Sequence, residues 1–380
     1  MTNPRVKISL SLWGVAWAVT SALSVLSHRS VTPAYHGAVE AWIQHLDLYA
    51  DSGFFYFPQF VYLFFPFHVL PTVAGELLWR LISVALLVCG IWRLLTQDHL
   101  AVDRGRAFLM ATLIVLFPAL DAMRNGQANV IFAGLTMLAA ADLSRIELDK
   151  KAATSAGIFL IGSLAAKPIG IVMMGLASLS SPALRWRLAV LMVLFIALPY
   201  LFSPAWYATR QYESLVQHLS TVSVLSENRF ADFNGLLRAF GYELTGASSL
   251  AIRAGTGLGI AAIWLLVSRR CRPADRGFIL LTLTTGYLLL FNPMTEQNSV
   301  VIAAPAMTLF AIRLLMIEKR PVLAWTLIGG ILSMTLLPEL LRKTSPDFGL
   351  WWHPAVMLAF LAVFLWWLGR THLQAIDVNS

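Results

Sequence analysis

Between two apolar stretches the chain reads "NPMTEQNS", Asn292 to Ser299. Glu296 has a proton to exchange. Gln297 and Asn298 each carry a donor and an acceptor, which suits a ligand made of hydroxyls, such as a sugar. The plain alternative is a turn, opened by Asn-Pro and closed by Thr295 capping the next helix. "RNGQAN" (124–129) has the same form. Gly126 permits a tight turn, Gln127 and Asn129 supply amides, and the Arg124 cation suits a lipid phosphate; otherwise it is an interhelical loop. Lys167 stands before Pro168 inside the apolar "FLIGSLAAKPIGIVMMG". An ionisable group there is a functional hypothesis by default, with snorkelling to an interface as the alternative. A phosphate partner accounts for both its place and its charge.

Three acids sit early in the chain, in "VEAWIQHLDLYADSG": Glu40, Asp47 and Asp51. One such carboxylate is placed to deprotonate an acceptor hydroxyl. The alternative is a solvated amphipathic segment with Ala38, Trp42, Ile43 and Leu46 on one face. Tyr35, Trp42, Tyr49, Phe54, Phe55 and Tyr56 crowd the same region. They suit an aromatic belt and equally stacking on sugar rings. Asn234, with Asp232 and Arg238, lies in "SENRFADFNGLLRAFGYEL" (226–244), which otherwise reads as an ordinary loop. The sequence has no P-loop, GxGxxG, HExxH or CxxC, so nucleotide, zinc and redox chemistry have no support. Cys89 and Cys271 lie in different segments and form neither a metal-ligand pair nor an obvious disulfide.

The elements that must hold these residues are membrane helices. Of the 380 residues, 58% are hydrophobic and 13% charged, against roughly 45–50% and about 25% in soluble domains. Continuous apolar runs without alternation exclude a barrel, and inside lipid they must be helical. Spans are expected at 8–27, 74–95, 106–120, 128–145, 187–202, 250–268, 277–291, 299–316, 321–337 and 354–370. The first is long for a signal peptide and reads as a retained helix. The stretch 55–70, broken by Pro58 and Pro66, reads as a juxtamembrane helix. The stretch 153–180 reads as a broken or re-entrant element around Lys167-Pro168. The fold class is therefore all-α: one polytopic integral membrane domain over 1–380, with about ten spans. Connections expected on one side hold 18 of the 28 basic residues and the opposite ones 7. The positive-inside rule then puts both termini in the cytoplasm. The net charge of +8 reflects those basic loops and anionic lipid rather than nucleic acid. The long connections 28–73, 203–249 and 338–353 fall outside, together with both amide-rich turns.

In order and spacing, these marks resemble the GT-C glycosyltransferases, and more narrowly glycosyltransferase family 87, the polyprenol-phosphate-mannose-dependent α-mannosyltransferase group. The marks are the aromatic-Pro run "DLYADSGFFYFPQFVYLFFPFHVLP" (47–71), Gly126-Gln127-Ala128-Asn129, Lys167-Pro168, and the late turn at Asn292, Pro293 and Thr295. The resemblance implies a membrane glycosyltransferase that takes a sugar, mannose in that group, from a polyprenyl phosphate. It implies a lipid or glycan acceptor, direct displacement with inversion and, in some subgroups, a divalent metal, though the single acids here give no strong metal site. It also implies an Asp base a few residues before a Tyr in the first external loop. Here "SVTPA" precedes Tyr35, and Asn298 stands where a His is usual. The base is then sought among Asp47 first, Glu296 second, and Glu40 and Asp51. Arg124, Lys167, Gln127, Asn129, Gln297, Asn298, Tyr49 and Asn234 are candidate substrate contacts. A transporter or flippase for a lipid-linked or small polar solute is the second reading: the same polar groups would form an alternating-access site. The absence of repeated halves and the gathering of polar motifs at one face speak against it. The setting expected for either is the inner membrane.

Overall fold

The computed structural model describes residues 3–27, 30–50, 53–96, 103–222, 230–292 and 294–373. Among these, sixteen α-helices account for nearly all regular structure, and no strand occurs. They are α1 (Pro4–Ser27), α2 (Thr32–Ile43), α3 (Gln59–His68), α4 (Thr72–Leu95), α5 (Arg104–Asn125), α6 (Asn129–Leu143), α7 (Lys150–Ala166) and α8 (Gly170–Ser180). There follow α9 (Pro182–Phe202), α10 (Ala205–Val222), α11 (Phe233–Ala239), α12 (Gly246–Ser268), α13 (Pro273–Phe291), α14 (Val300–Met316), α15 (Pro321–Leu341) and α16 (Phe348–Leu368). A 3-10 turn, Gln297–Ser299, leads into α14. Nine segments among the described residues are long and apolar enough to cross a membrane: α1, α4, α5, α9, α12, α13, the turn with α14, α15, and α16 with its extension. The tenth expected span is α6. It is shorter, but every one of its residues is buried.

The centre of the bundle is α6, α13 and α14. The apolar windows of α13 and of the turn with α14 are each 83% buried, against 17% for α12. Small residues let the central backbones touch, the usual basis of helix packing in lipid. A Cβ at Gly134 would lie 2.5 Å from the Leu87 nitrogen, and one at Gly277 1.8 Å from the Ala140 oxygen. Side chains at these points would push α4 and α13 off α6.

The expected break at Lys167-Pro168 is real, and the chain doubles back there. Arg187, near the start of α9, donates from Nε to Thr154 Oγ1 near the start of α7, at 3.0 Å. The starts of α7 and α9 are therefore level, so α8 must return the chain. Gly170 packs on the last turn of α7, where a Cβ would meet the Leu164 nitrogen at 2.7 Å. Pro168 cannot continue the amide ladder, and the turn it forces carries Lys167 at the hairpin tip.

Two ends of the bundle differ. One gathers the ends of α4, α6, α14 and α16 and the starts of α1, α5 and α13, joined by ion pairs. The other gathers α2, α3, the α5–α6 turn, the hairpin tip, the 3-10 turn, α11 and the start of α16. α2 and α3 pack on each other there, so 55–70 does contain a separate short helix. The buried face of α2 is Thr32, Tyr35, Ala38, Val39 and Trp42. Ile43 and Leu46, expected on that face, are exposed. The helix turns its stripe toward the Tyr35 side, where Phe60, Phe64 and Trp79 surround the ring.

Candidate active site

The α5–α6 turn is built by α4 from beneath. α5 ends on Gly126 at φ 66°, in the left-handed region. A Cβ there would be strained and would press on Thr32 at 2.9 Å. Trp79 Nε1 donates to the Gly126 oxygen at 2.8 Å. Arg80, 2% exposed, donates to the carbonyls of Met123 and Arg124, which end α5. It also pairs with Glu76 at 3.0 Å, and Glu76 accepts from the Thr32 hydroxyl at 2.7 Å. A cation at a helix C-terminus is favoured by the dipole, and its paired acid makes its burial tolerable.

So held, the turn faces the second amide-rich segment. Gln127 Nε2 donates to Glu296 Oε2 at 2.9 Å. Asn298 Nδ2 donates to the same oxygen at 2.9 Å. Asn129 Nδ2 donates to Gln127 Oε1 at 2.7 Å and to Asn298 Oδ1 at 2.9 Å. Two segments 169 residues apart thus form one network around a single carboxylate. The start of α6 adds its positive dipole end. Glu296 itself caps the 3-10 turn: its side chain accepts from the Ser299 N–H, and its own N–H donates to Ser299 Oγ. The cap expected from Thr295 is corrected. Its hydroxyl donates to the Asn292 oxygen, behind the turn rather than ahead of it. Asn129 and Asn298 are buried while Glu296 remains exposed, so the rigid amides lie beneath and the carboxylate is reachable.

Lys167 brings a cation to this carboxylate. It is half-buried, and the electrostatic field of Glu296 reaches it. Among the described residues its ammonium makes no hydrogen bond or ion pair. On the α2 side, Tyr35 and Tyr56 share a hydroxyl–hydroxyl hydrogen bond of 2.8 Å. The Ala128 N–H donates to Tyr35 at 3.3 Å. Burial pushes the Tyr35 hydroxyl up to about 12; its hydrogen bonds oppose the rise and the Glu296 charge adds to it. Burial raises Tyr56 further, helped by Tyr35 and Glu296. Both phenols stay neutral donors beside the carboxylate.

The other candidates lie apart. Asp47 accepts from the Tyr49 N–H at 3.0 Å and the Ser214 hydroxyl at 3.1 Å, in a corner against α10 where Gln211 accepts from the Leu48 N–H. Tyr49 is buried and donates to the Tyr56 oxygen at 2.9 Å, so tyrosines separate this corner from Glu296. Burial first, then the Asp47 charge, raises the Tyr49 hydroxyl. Glu40 is exposed on α2. Asp51 lies outside the described residues. Arg124 is half-buried and reaches Ser27 Oγ at 3.4 Å. The Asn234 side chain braces its own loop through two bonds to the Leu244 backbone, 3.1 and 2.8 Å. Gln297 is exposed and lies over Gly349, where a Cβ would meet its Nε2 at 2.7 Å. Sequence reasoning missed the Glu76–Arg80 pair and the Tyr35–Tyr56 contact. The i,i+4 spacing of the first pair in an otherwise apolar helix was the available signal.

A divalent cation of the magnesium type wants carboxylate oxygens in an open octahedron. The Glu296 carboxylate is already engaged by amides, and no group of three or more His, Cys, Asp or Glu among the described residues is placed to hold a metal. The donor set does not fit one.

The family model for glycosyltransferase family 87 matches residues 54–293, more than half the chain. The match takes in α3, Gly126 to Asn129 and Lys167, and stops short of Glu296. No curated protein matches the chain.

Proposed function

The chain belongs to glycosyltransferase family 87, a multi-pass membrane glycosyltransferase, and from that premise we propose that it moves a sugar from a polyprenyl phosphate to a lipid or glycan acceptor. The observation that carries this reading is the exposed, amide-bonded carboxylate of Glu296. It is bonded by Gln127 and Asn298, with Asn129 behind them and Lys167 within its field.

In the proposed step Glu296 takes the proton of an acceptor hydroxyl. The hydroxyl oxygen bonds to the anomeric carbon as the bond from that carbon to the phosphate oxygen breaks. Polyprenyl phosphate leaves carrying the electron pair, with inversion at the sugar. Lys167 offsets the charge that grows on the leaving phosphate, which is electrostatic stabilisation of the transition state. Gln127, Asn129 and Asn298 hold the base, and their free valences suit sugar hydroxyls. Geometry supports Glu296 ahead of Asp47: Asp47 is tied to Tyr49 and Ser214 and lies behind the tyrosines. Arg124 fits a lipid phosphate at the rim, near the end of α1. No step is routed through a metal.

The amide-rich end is proposed to face outside an inner membrane, with both termini in the cytoplasm. The start of α1 and the end of α16 do lie at the same, ion-paired end of the bundle. Mannose is the sugar to try first. The test is reconstitution in liposomes with radiolabelled polyprenyl-phosphate mannose and a panel of glycan and lipid acceptors. Transfer to an acceptor with release of polyprenyl phosphate is expected. Movement of intact donor across the bilayer without transfer would overturn the reading.

A further inference from the structure

Beside the carboxylate network, at the same end of the bundle, lies a cavity of about 440 Å³ lined by Gly235, Arg238, Ala239, Asp347, Leu350 and Trp351. Its size falls within the range of small-molecule sites. Its walls are α11 and the start of α16. The two backbones meet at its floor, where a Cβ at Gly235 would lie 2.7 Å from the Leu350 oxygen. The Asp232 carboxylate caps α11 through the Gly235 N–H at 2.9 Å and pairs with Arg253 at 3.6 Å. Asp232 thereby ties α11 to α12.

The cavity is also tied to Glu296. The Ala231 N–H donates to the Thr295 oxygen at 2.8 Å, and Gln297 packs over Gly349 at the start of α16. Gln127, Asn129 and Lys167 approach the carboxylate from α6 and the α7–α8 hairpin. The cavity approaches it from different elements.

Its chemistry is that of a carbohydrate seat. Trp351 offers a half-buried ring, set edge-on to Phe348 at 4.9 Å. Arg238 brings guanidinium donors, and Asp347, which already has a partner, adds a carboxylate to the wall. The charges argue against phosphate. Arg238 already has Glu243 3.8 Å away, so its charge is met within the protein and does not call for an anion. A neutral, hydroxyl-bearing ring satisfies the donors, the acceptors and the aromatic face together. We infer that this cavity between α11 and α16 seats a neutral saccharide, the sugar portion of the acceptor, and presents its hydroxyl to Glu296. The ligand class rests on the cavity; the acceptor role rests on the glycosyltransferase reading.

Saturation-transfer NMR on the purified full chain, with methyl α-mannopyranoside, methyl α-glucopyranoside and an α-linked mannobiose as probes, tests the seat without turnover. Binding is expected in the wild type, to fall about tenfold in Trp351→Ala, as loss of one ring contact implies, and to fall in Asp347→Asn. It should persist in Glu296→Gln, and inorganic phosphate should not displace the probes. Trp351→Leu keeps an apolar side chain on α16, so it separates lost stacking from lost folding. In the transfer assay, Trp351→Leu should raise the acceptor KM about tenfold and leave the donor KM unchanged. No binding of any probe, binding unchanged in Trp351→Ala, Trp351→Leu and Asp347→Asn together, or displacement by phosphate would each overturn the proposal. Saccharide binding that depends on Trp351 in a protein that transfers no sugar would instead sink the glycosyltransfer reading and leave the seat standing.

Discussion

Two charged clusters at opposite ends of the bundle are built differently. At one, Asp142 is wholly buried between Arg93 and Arg145, and Asp275 lies against Arg313, which also reaches Glu318. Both of these acids have a cation in contact. At the other, Glu296 is exposed and bonded by amides, while its cation, Lys167, senses it without touching it. A closed pair has satisfied its charge within the scaffold. An open pair held by rigid neutral groups leaves both charges available to something that arrives. On the proposed reading, the contrast separates structural charge from chemical charge within one apolar chain.

Glu296→Gln tests that contrast hardest. Transfer should fall roughly 10²–10⁴-fold, the usual worth of a general base, with thermal unfolding near wild type. Full turnover in the variant would make the network merely a turn. Asp142→Asn should do the reverse. Breaking a buried pair leaves cations uncompensated and costs about 3–5 kcal/mol, so unfolding should come early while the folded fraction keeps its turnover per molecule. Lys167→Met should weaken binding of polyprenyl phosphate about 10–100-fold, as expected of a charge-assisted contact of about 1.5–3 kcal/mol. Binding equal to wild type would mean the lysine only snorkels.

Asp47→Asn should be milder, within a few-fold in turnover, since Asn keeps the contacts with Tyr49 and Ser214 in the α10 corner. A loss exceeding that of Glu296→Gln would restore Asp47 as the base. The smallest effect concerns pH. The Tyr35 hydroxyl is raised to about 12 in the folded protein, chiefly by burial, above an unfolded value near 10. Its contribution to stability is then full below pH about 10 and lost as pH rises toward 12. Denaturation profiles of wild type and Tyr35→Phe should run parallel from pH 7 to 9 and diverge only above that.

Much of the scaffold was legible because apolar runs of spanning length have one outcome in lipid. Lys167-Pro168 announced a break for two independent reasons, a charge in an apolar run and a missing amide. Gln127, Asn129, Glu296 and Asn298 were each visible as polar residues in greasy surroundings. Their convergence was not, because it depends on α6 packing against α13 and α14, and a sequence carries no distance between residues so far apart. The setting of Asp47, tied to Tyr49 and Ser214 in the α10 corner, was hidden for the same reason: those contacts have no signature in spacing. Asn234 had the right chemistry for a ligand, yet its loop closes back on it at Leu244. Arg80 belongs to no motif, yet it holds the turn that carries Gln127.

The position of the most buried helices along the chain also sets a timetable. α6 packs mainly on α4 and α7, made just before and after it, and is closed over by α13 and α14, yet the start of α13 trails the end of α6 by about 130 residues. At about 5–20 residues per second of synthesis, α6 waits on the order of ten seconds for that closure. During that time the polar flank at Thr136 and the acid at Asp142 lack their final enclosure, and Arg93 is the early partner that can meet the acid. Nascent chains arrested before α13 should therefore be the ones that quality-control proteases remove, while arrest after α14 should leave a core that protects itself.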